Sequence, residues 1–139
     1  MSFFSFRKDE ILRKKKLIDR LFAEGTSFFI YPFKIFLLPV TLENSLPAQI
    51  LITVTKRAFK HAVDRNRIKR QIRESYRLNK HVLYDHLEKN NEQCVLALIY
   101  TANAHISSEE MEIKIKAVLK RLFTELDKKL NNPSPSLSD

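Results

Sequence analysis

Lys56-Arg57-Ala58-Phe59-Lys60-His61-Ala62-Val63-Asp64-Arg65-Asn66-Arg67-Ile68-Lys69-Arg70-Gln71-Ile72-Arg73-Glu74-Ser75-Tyr76-Arg77-Leu78-Asn79-Lys80 holds 10 Lys or Arg against 2 acids, a net +8. The whole chain of 139 residues carries +9, so the rest of it, with 15 basic and 14 acidic residues, is nearly neutral. Charge this concentrated calls for a partner of opposite sign at one place on the surface, and a polyanion fits best.

The stretch also has helical order. At about 100° per residue, Ala62, Ile68, Ile72, Ser75 and Tyr76 share one arc of a helix starting near His61. Arg67, Arg70, Arg73 and Arg77 line another side at spacings of three and four. Arg65 and Lys69 lie on the border of the apolar arc, within reach of a groove beside the helix. Asp64 falls in the first turn, where it suits the helix dipole, and Arg77 and Lys80 are read as lying near the end. A merely solvated basic face usually carries acids that pair it, and here only Glu74 stands among the arginines. Guanidinium groups fork onto phosphate oxygens, and Asn66, both donor and acceptor, suits a sugar or a base edge. The pattern favours nucleic-acid binding.

Three segments carry a resemblance: Val54-Thr55-Lys56-Arg57, Ala62-Val63-Asp64-Arg65-Asn66-Arg67-Ile68-Lys69-Arg70 and Ile72-Arg73-Glu74-Ser75-Tyr76-Arg77. Together they resemble the signature of the bacterial ribonuclease P protein subunit, an Arg-Asn-Arg core followed by Lys-Arg and entered from a strand ending Ser-Lys-Lys. That family usually has a glycine before the Ala-Val pair, where this chain has Phe59-Lys60-His61 and is one residue longer. The likeness covers roughly residues 12–126.

Upstream, Lys14 to Glu24 reads as a short helix with Leu17, Ile18, Leu21 and Phe22 on its apolar side, and Gly25, the only glycine, is expected as a left-handed cap. The Arg13-Lys14-Lys15-Lys16 run at its start is either a solvated patch or an auxiliary phosphate contact. Ser27 to Ile30, Phe33 to Leu38 (closed by Pro39) and Gln49 to Thr55 read as strands, with Tyr31-Pro32 and Glu43 to Pro47 as breaks. Alternation puts Phe36 on the face of Lys34 and Leu38, opposite Ile35, where it is either core or an exposed ring. Downstream, Leu83 to Glu88 either continues the basic helix or forms a second turn. Cys94 to Tyr100 is a continuous apolar run, as for a central strand covered on both faces. Ser107 or Ser108 caps a last helix reaching about Leu130, its apolar face built from Met111, Ile115, Val118, Leu119, Leu122 and Leu126. Residues 1–6 read as a floppy or loosely docked start, and 131–139 as a disordered tail behind a single domain of residues 1–130.

The fold class is therefore α+β: helix, three strands, helix, strand, helix, with the helices packed on a four-stranded sheet. The resemblance implies a ribonuclease P protein-like fold with a left-handed crossover between the third and fourth strands, against the usual hand.

Several chemistries find no support. One cysteine excludes an internal disulfide and suits a reducing cytoplasm, and no apolar run approaches the length of a membrane span. A single glycine argues against phosphate-cradling loops. His61, His81, His86 and His105 show no ligand spacing with one another or with Cys94, so no metal held by the protein is expected. The acids are scattered where a metal-dependent nuclease would cluster them.

The resemblance implies the protein subunit of ribonuclease P, which assists removal of the 5′ leader from precursor tRNA by a catalytic RNA using magnesium; the chain alone is not expected to cut RNA. Its partners would be the ribonuclease P RNA and the leader, with neither membrane nor DNA. Lys56, Arg57, Arg67, Arg70, Arg73 and Arg77 would dock the catalytic RNA. Ile18, Phe22, Phe36, Arg65, Asn66 and Lys69 would line a leader-binding cleft between the sheet and the Arg-Asn-Arg helix. The rival reading is a ribosomal or other structured-RNA-binding protein with no part in catalysis.

Overall fold

The computed structural model describes residues 6–131, with side chains through 128. Most of the tail read as disordered, 132–139, and residues 1–5 lie outside the described residues. After a 3₁₀ turn at Lys8–Glu10 come α1 (Lys15–Glu24), β1 (Thr26–Ile30), β2 (Phe33–Pro39), β3 (Ala48–Val54), α2 (Ala62–Lys89), β4 (Cys94–Tyr100) and α3 (Ser108–Asn131). The element order is the one expected. The strands lie in the order β1-β2-β4-β3, antiparallel except for β3 and β4, which are parallel neighbours joined through α2.

Alternation along β2 sorts the molecule into layers. Phe33, Ile35 and Leu37 face one way, into a core shared with Leu96, Leu98 and Tyr100. Ile68, Ile72, Tyr76, Leu83 and Leu87 of α2 and the six expected apolar residues of α3 close that core. Leu38 and the half-buried Phe36 face the other way with Val95 and Ala97, under Leu17, Ile18 and Leu21 of α1. The sheet therefore has α2 and α3 on one face and α1 on the other. Central β4 is buried along its length apart from a half-buried Ile99, as its unbroken apolar run demands.

The helix boundaries bring corrections. α2 is one 28-residue helix, with Leu83 to Glu88 continuing it, so Arg77 and Lys80 lie mid-helix instead of near its end. Ala62, placed on the apolar arc, is exposed. Its place in the core is filled from the preceding loop by Phe59, packed against Tyr100. α3 is capped as expected, the Glu110 N–H donating to Ser107 Oγ at 3.0 Å.

Gly25 is not in the left-handed region: its φ is −69° and its ψ 153°, an extended conformation open to any residue. Glycine is needed there for space. A Cβ would stand 2.4 Å from the Leu21 carbonyl oxygen and 3.0 Å from that of Leu37, both backbone atoms. Gly25→Ala should therefore lower stability by about 1–3 kcal/mol, as overpacking does, measured by urea unfolding.

The N-terminal segment ties the two faces together. Leu12 N–H donates to Ile50 O at 2.9 Å, and Gln49 Nε2 to Asp9 O at 2.9 Å, so the segment runs along the outer side of β3 before entering α1. Phe6, the first described residue, meets the Tyr76 ring edge-on at 5.8 Å. Glu10 is buried and accepts from Lys80 Nζ, Tyr84 Oη and the Arg7 N–H.

Candidate nucleic-acid interface

β3 ends at Val54 and delivers the chain into the loop that carries Lys56 and Arg57. Ala58 N–H donates to Thr55 Oγ1 at 3.2 Å and Phe59 N–H to Thr55 O at 3.2 Å, which turns the chain. Phe59 is the loop's anchor, its ring 6.3 Å from Tyr100 and 5.0 Å from His105. Arg65 Nη1 then donates to the carbonyls of Phe59 and Lys60 at 2.8 and 2.9 Å. Arg65 is thus half-buried and engaged in holding this loop, with less freedom to reach into a groove than its border position suggests. Lys56 and Arg57 are left exposed on a fixed turn.

Along α2, Asn66, Arg67, Arg70 and Arg73 are exposed, and Lys69 is half-buried at the border of the apolar stripe. No carboxylate among the described residues lies within ion-pair distance of Arg67, Lys69, Arg70 or Arg73. Three guanidinium groups at spacings of three thus present charge that the protein does not neutralise, the footprint of a phosphate-binding face. Arg77 is different: its Nε and Nη2 donate to Glu74. That hydrogen bond holds the Glu74 carboxyl below the usual carboxylate range. Arg77 reaches a phosphate only in competition with that carboxylate.

The second element of the site lies on the α1 face. The rings of Phe22 and Phe36 meet edge to face with centroids 4.8 Å apart, Phe22 remaining 41% exposed. Lys34 Nζ stands 5.6 Å over the Phe36 ring. Register sets Phe29, Lys34, Ile99 and Thr53 side by side across all four strands, one row beyond Phe36 and Ala97. Phe29 and Lys34 are exposed, and Ile99 and Thr53 half-buried. α1 therefore covers only part of this face and leaves an open shelf beside it with aromatic rings and a lysine.

The six residues expected around one cleft fall into two groups. Ile18, Phe22 and Phe36 come together where α1 meets the sheet. Arg65, Asn66 and Lys69 are on α2, whose apolar side packs against the opposite face, and α1 and α2 do not touch. The groups are joined only around the Val54 end of β3, where Thr53 of the shelf leads into Lys56 and Arg57. The groove is bounded by α1 and the sheet, with the basic helix beyond its rim. Sequence reading missed Phe29 as part of this shelf and Phe59 as the loop's anchor. Alternation along β1 offered a signal for the first, and nothing marked the second.

The thiol of Cys94 and the hydroxyls of Tyr76 and Tyr84 lie in the interior, away from this face. Burial pushes the Cys94 thiol up to about 12, so little thiolate exists near neutral pH. Burial likewise raises the hydroxyls of Tyr76 and Tyr84. What the exposed site can do is bind phosphates and stack rings on unpaired bases.

Comparison with known proteins agrees on one family. The family model described as Ribonuclease P matches residues 6–127. The ribonuclease P protein component of Porphyromonas gingivalis is 34% identical over 100 residues, 72% of this chain and 73% of that one. That of Chlorobaculum tepidum is 36% identical over 126 residues, 84% of this chain and 82% of that one. Among solved structures, the chain is similar to the RNase P protein from Thermotoga maritima, with a TM-score of 0.65 and 22% identity over 81% of this chain and 96% of that one. It is also similar to the Staphylococcus aureus RNase P protein, with a TM-score of 0.61 and 21% identity over 81% and 94%. At these identities the structural likeness speaks for the fold alone.

Proposed function

The chain belongs to the Ribonuclease P protein family, and from that premise we propose that it binds a catalytic RNA through its basic helix and holds the 5′ leader of precursor tRNA in the groove beside α1. The observation that carries this reading is the pairing of two unlike surfaces in one fold. An unneutralised arginine face suits a structured RNA backbone, and a separate aromatic shelf suits an unpaired strand. A binder of duplex RNA backbone alone needs the first and not the second.

In this reading Arg67, Arg70 and Arg73, with Lys56 and Arg57, contact phosphates of the catalytic RNA. Asn66 reads a sugar or base edge there, and Arg77 contributes less because Glu74 holds it. Phe36 and Phe22 stack a leader base, Ile18 backs them, and Lys34 draws in the leader's phosphates. The chain's own contribution is positioning, so cleavage falls to the RNA and its magnesium.

The test compares substrates. With the protein reconstituted on the catalytic RNA, Phe36→Ala should weaken precursor-tRNA binding by about 1–3 kcal/mol, the usual range for one stacked base, and leave mature tRNA unaffected. Equal losses on both would remove the leader from this groove. Half-buried as it is, Phe36 also needs a folding control, because a core Phe→Ala costs about 3–5 kcal/mol of stability.

A further inference from the structure

Two buried polar atoms of α2, Ser75 Oγ and Gln71 Oε1, have no hydrogen-bond partner among the described residues. They belong to side chains four residues apart, on one side of the helix. Ser75 is only 7% exposed, so its hydroxyl is removed from water as well. A buried polar atom left unpaired costs stability, and such atoms are few unless something else engages them. Both residues line a slot of about 280 Å³ between α2 and the start of α3. The slot lies on the side of the sheet covered by these two helices, away from the groove beside α1.

The slot is held in shape by its own residues. Gln71 Nε2 donates to the Ile106 carbonyl at 3.2 Å, which ties the loop before α3 to α2 and fixes the amide. The amide oxygen is then an acceptor with nothing to accept. Met111, buried, and Leu78, 38% exposed, give the slot an apolar wall. Two carboxylates line it and both are engaged: Glu74 accepts from Arg77, and Glu112 pairs with Lys116 Nζ at 3.1 Å. Arg70, exposed and with no carboxylate beside it, is the charge left for a ligand. The volume is below the roughly 300–1,000 Å³ of sites for drug-sized molecules and suits one flat ring system.

An acceptor, a hydroxyl, an apolar wall and a guanidinium in one slot match a single nucleotide turned out of a folded RNA. The amide oxygen accepts from an exocyclic amino group, and the hydroxyl donates to the bare ring nitrogen beside it. Adenine and cytosine carry that pair on the edge used in base pairing, whereas guanine and uracil carry an N–H at the ring position. We propose that one unpaired adenine or cytosine of the catalytic RNA inserts between α2 and α3, with its own phosphate on Arg70. This rests on the docking half of the reading above, in which Arg70 contacts that RNA. It makes the basic helix a reader of one base as well as a binder of backbone.

The experiment treats the catalytic RNA with dimethyl sulfate, which methylates adenine N1 and cytosine N3 where they are free, with and without the protein. One unpaired adenine or cytosine should be protected by the parent protein. With Ser75→Ala, and again with Gln71→Leu, that position should regain reactivity while the rest of the footprint stays. Ser75→Ala should also weaken binding of the catalytic RNA about three- to tenfold, the worth of one hydrogen bond. The free Ser75→Ala protein should be as stable in urea as the parent, because the hydroxyl it loses has no partner there. Gln71→Leu also gives up the bond to Ile106 and is checked in the same way. If Ser75→Ala leaves every protected position protected, or loses stability in step with RNA binding, the slot holds no base. The proposal is then overturned, and backbone docking by the arginine stripe stands. If the parent protects no position and the Arg67, Arg70 and Arg73 triple variant keeps its salt slope, the docking reading itself fails and the slot goes with it.

Discussion

Lys80→Ala should destabilise the protein by about 3–5 kcal/mol, although it removes one lysine from a chain with 25 Lys and Arg. Lys80 is 3% exposed and Glu10 2%. The ammonium lies against the carboxylate, over the rings of Phe6 at 5.5 Å and Tyr84 at 5.1 Å. Truncating Lys80 strands an anion in the interior, and that stranded charge is the main penalty. Removing both charges should be far milder. In Glu10→Gln with Lys80→Met, the amide oxygen takes the place of Oε2 and accepts from the Arg7 N–H, the amide NH2 donates to the Tyr84 hydroxyl, and most of the stability should be recovered. Urea unfolding of the two single variants and the double decides it. A Lys80→Ala protein within about 1 kcal/mol of the parent would mean that the pair is not buried in solution. The consequence reaches the groove, because Glu10 anchors the segment that leads along β3 into α1.

The second large effect is electrostatic. Replacing Arg67, Arg70 and Arg73 together by glutamine should flatten the log–log dependence of catalytic-RNA affinity on salt by about 2–3, at roughly 0.7–0.9 for each phosphate no longer engaged. Stability should hardly change, since all three are exposed. Arg77→Gln should shift the slope less than any of the three, because Glu74 already engages that guanidinium. Four equal slopes would show that the Glu74 pairing does not survive in the complex. An unchanged slope for the triple variant would return the stripe to a solvated face.

Patterns of period two and three-to-four were readable from the chain because each reports which side of an element is buried. Ile68, Ile72 and Tyr76 of α2, all six apolar positions of α3, the Ser107 cap and the shared facing of Lys34, Phe36 and Leu38 were legible for that reason. Lys80 was not. It continues the stripe of Ile72 and Tyr76 at a spacing of four, yet as a lysine it reads as surface, and its partner is 70 residues away. Gly25 illustrates a different limit: close approach and a left-handed turn both select glycine, and only the neighbouring carbonyls tell them apart. The cleft was misdrawn for a third reason. The resemblance set residues of both α1 and α2 around Phe36, and periodicity, which says that a face is covered but not by which helix, offered no check; α1 lies there and the apolar side of α2 packs on the opposite face.

On the reading proposed above, this chain assists an RNA catalyst and is not itself one. The most direct measurement adds the purified protein to the catalytic RNA at magnesium too low for the RNA to act well alone, and follows precursor-tRNA cleavage. Protein and RNA together should release the leader at its junction with the mature tRNA, while the protein without the RNA should release nothing. Cleavage by the protein alone, abolished by a point substitution in the chain, or a mixture no faster than the RNA by itself, would contradict it.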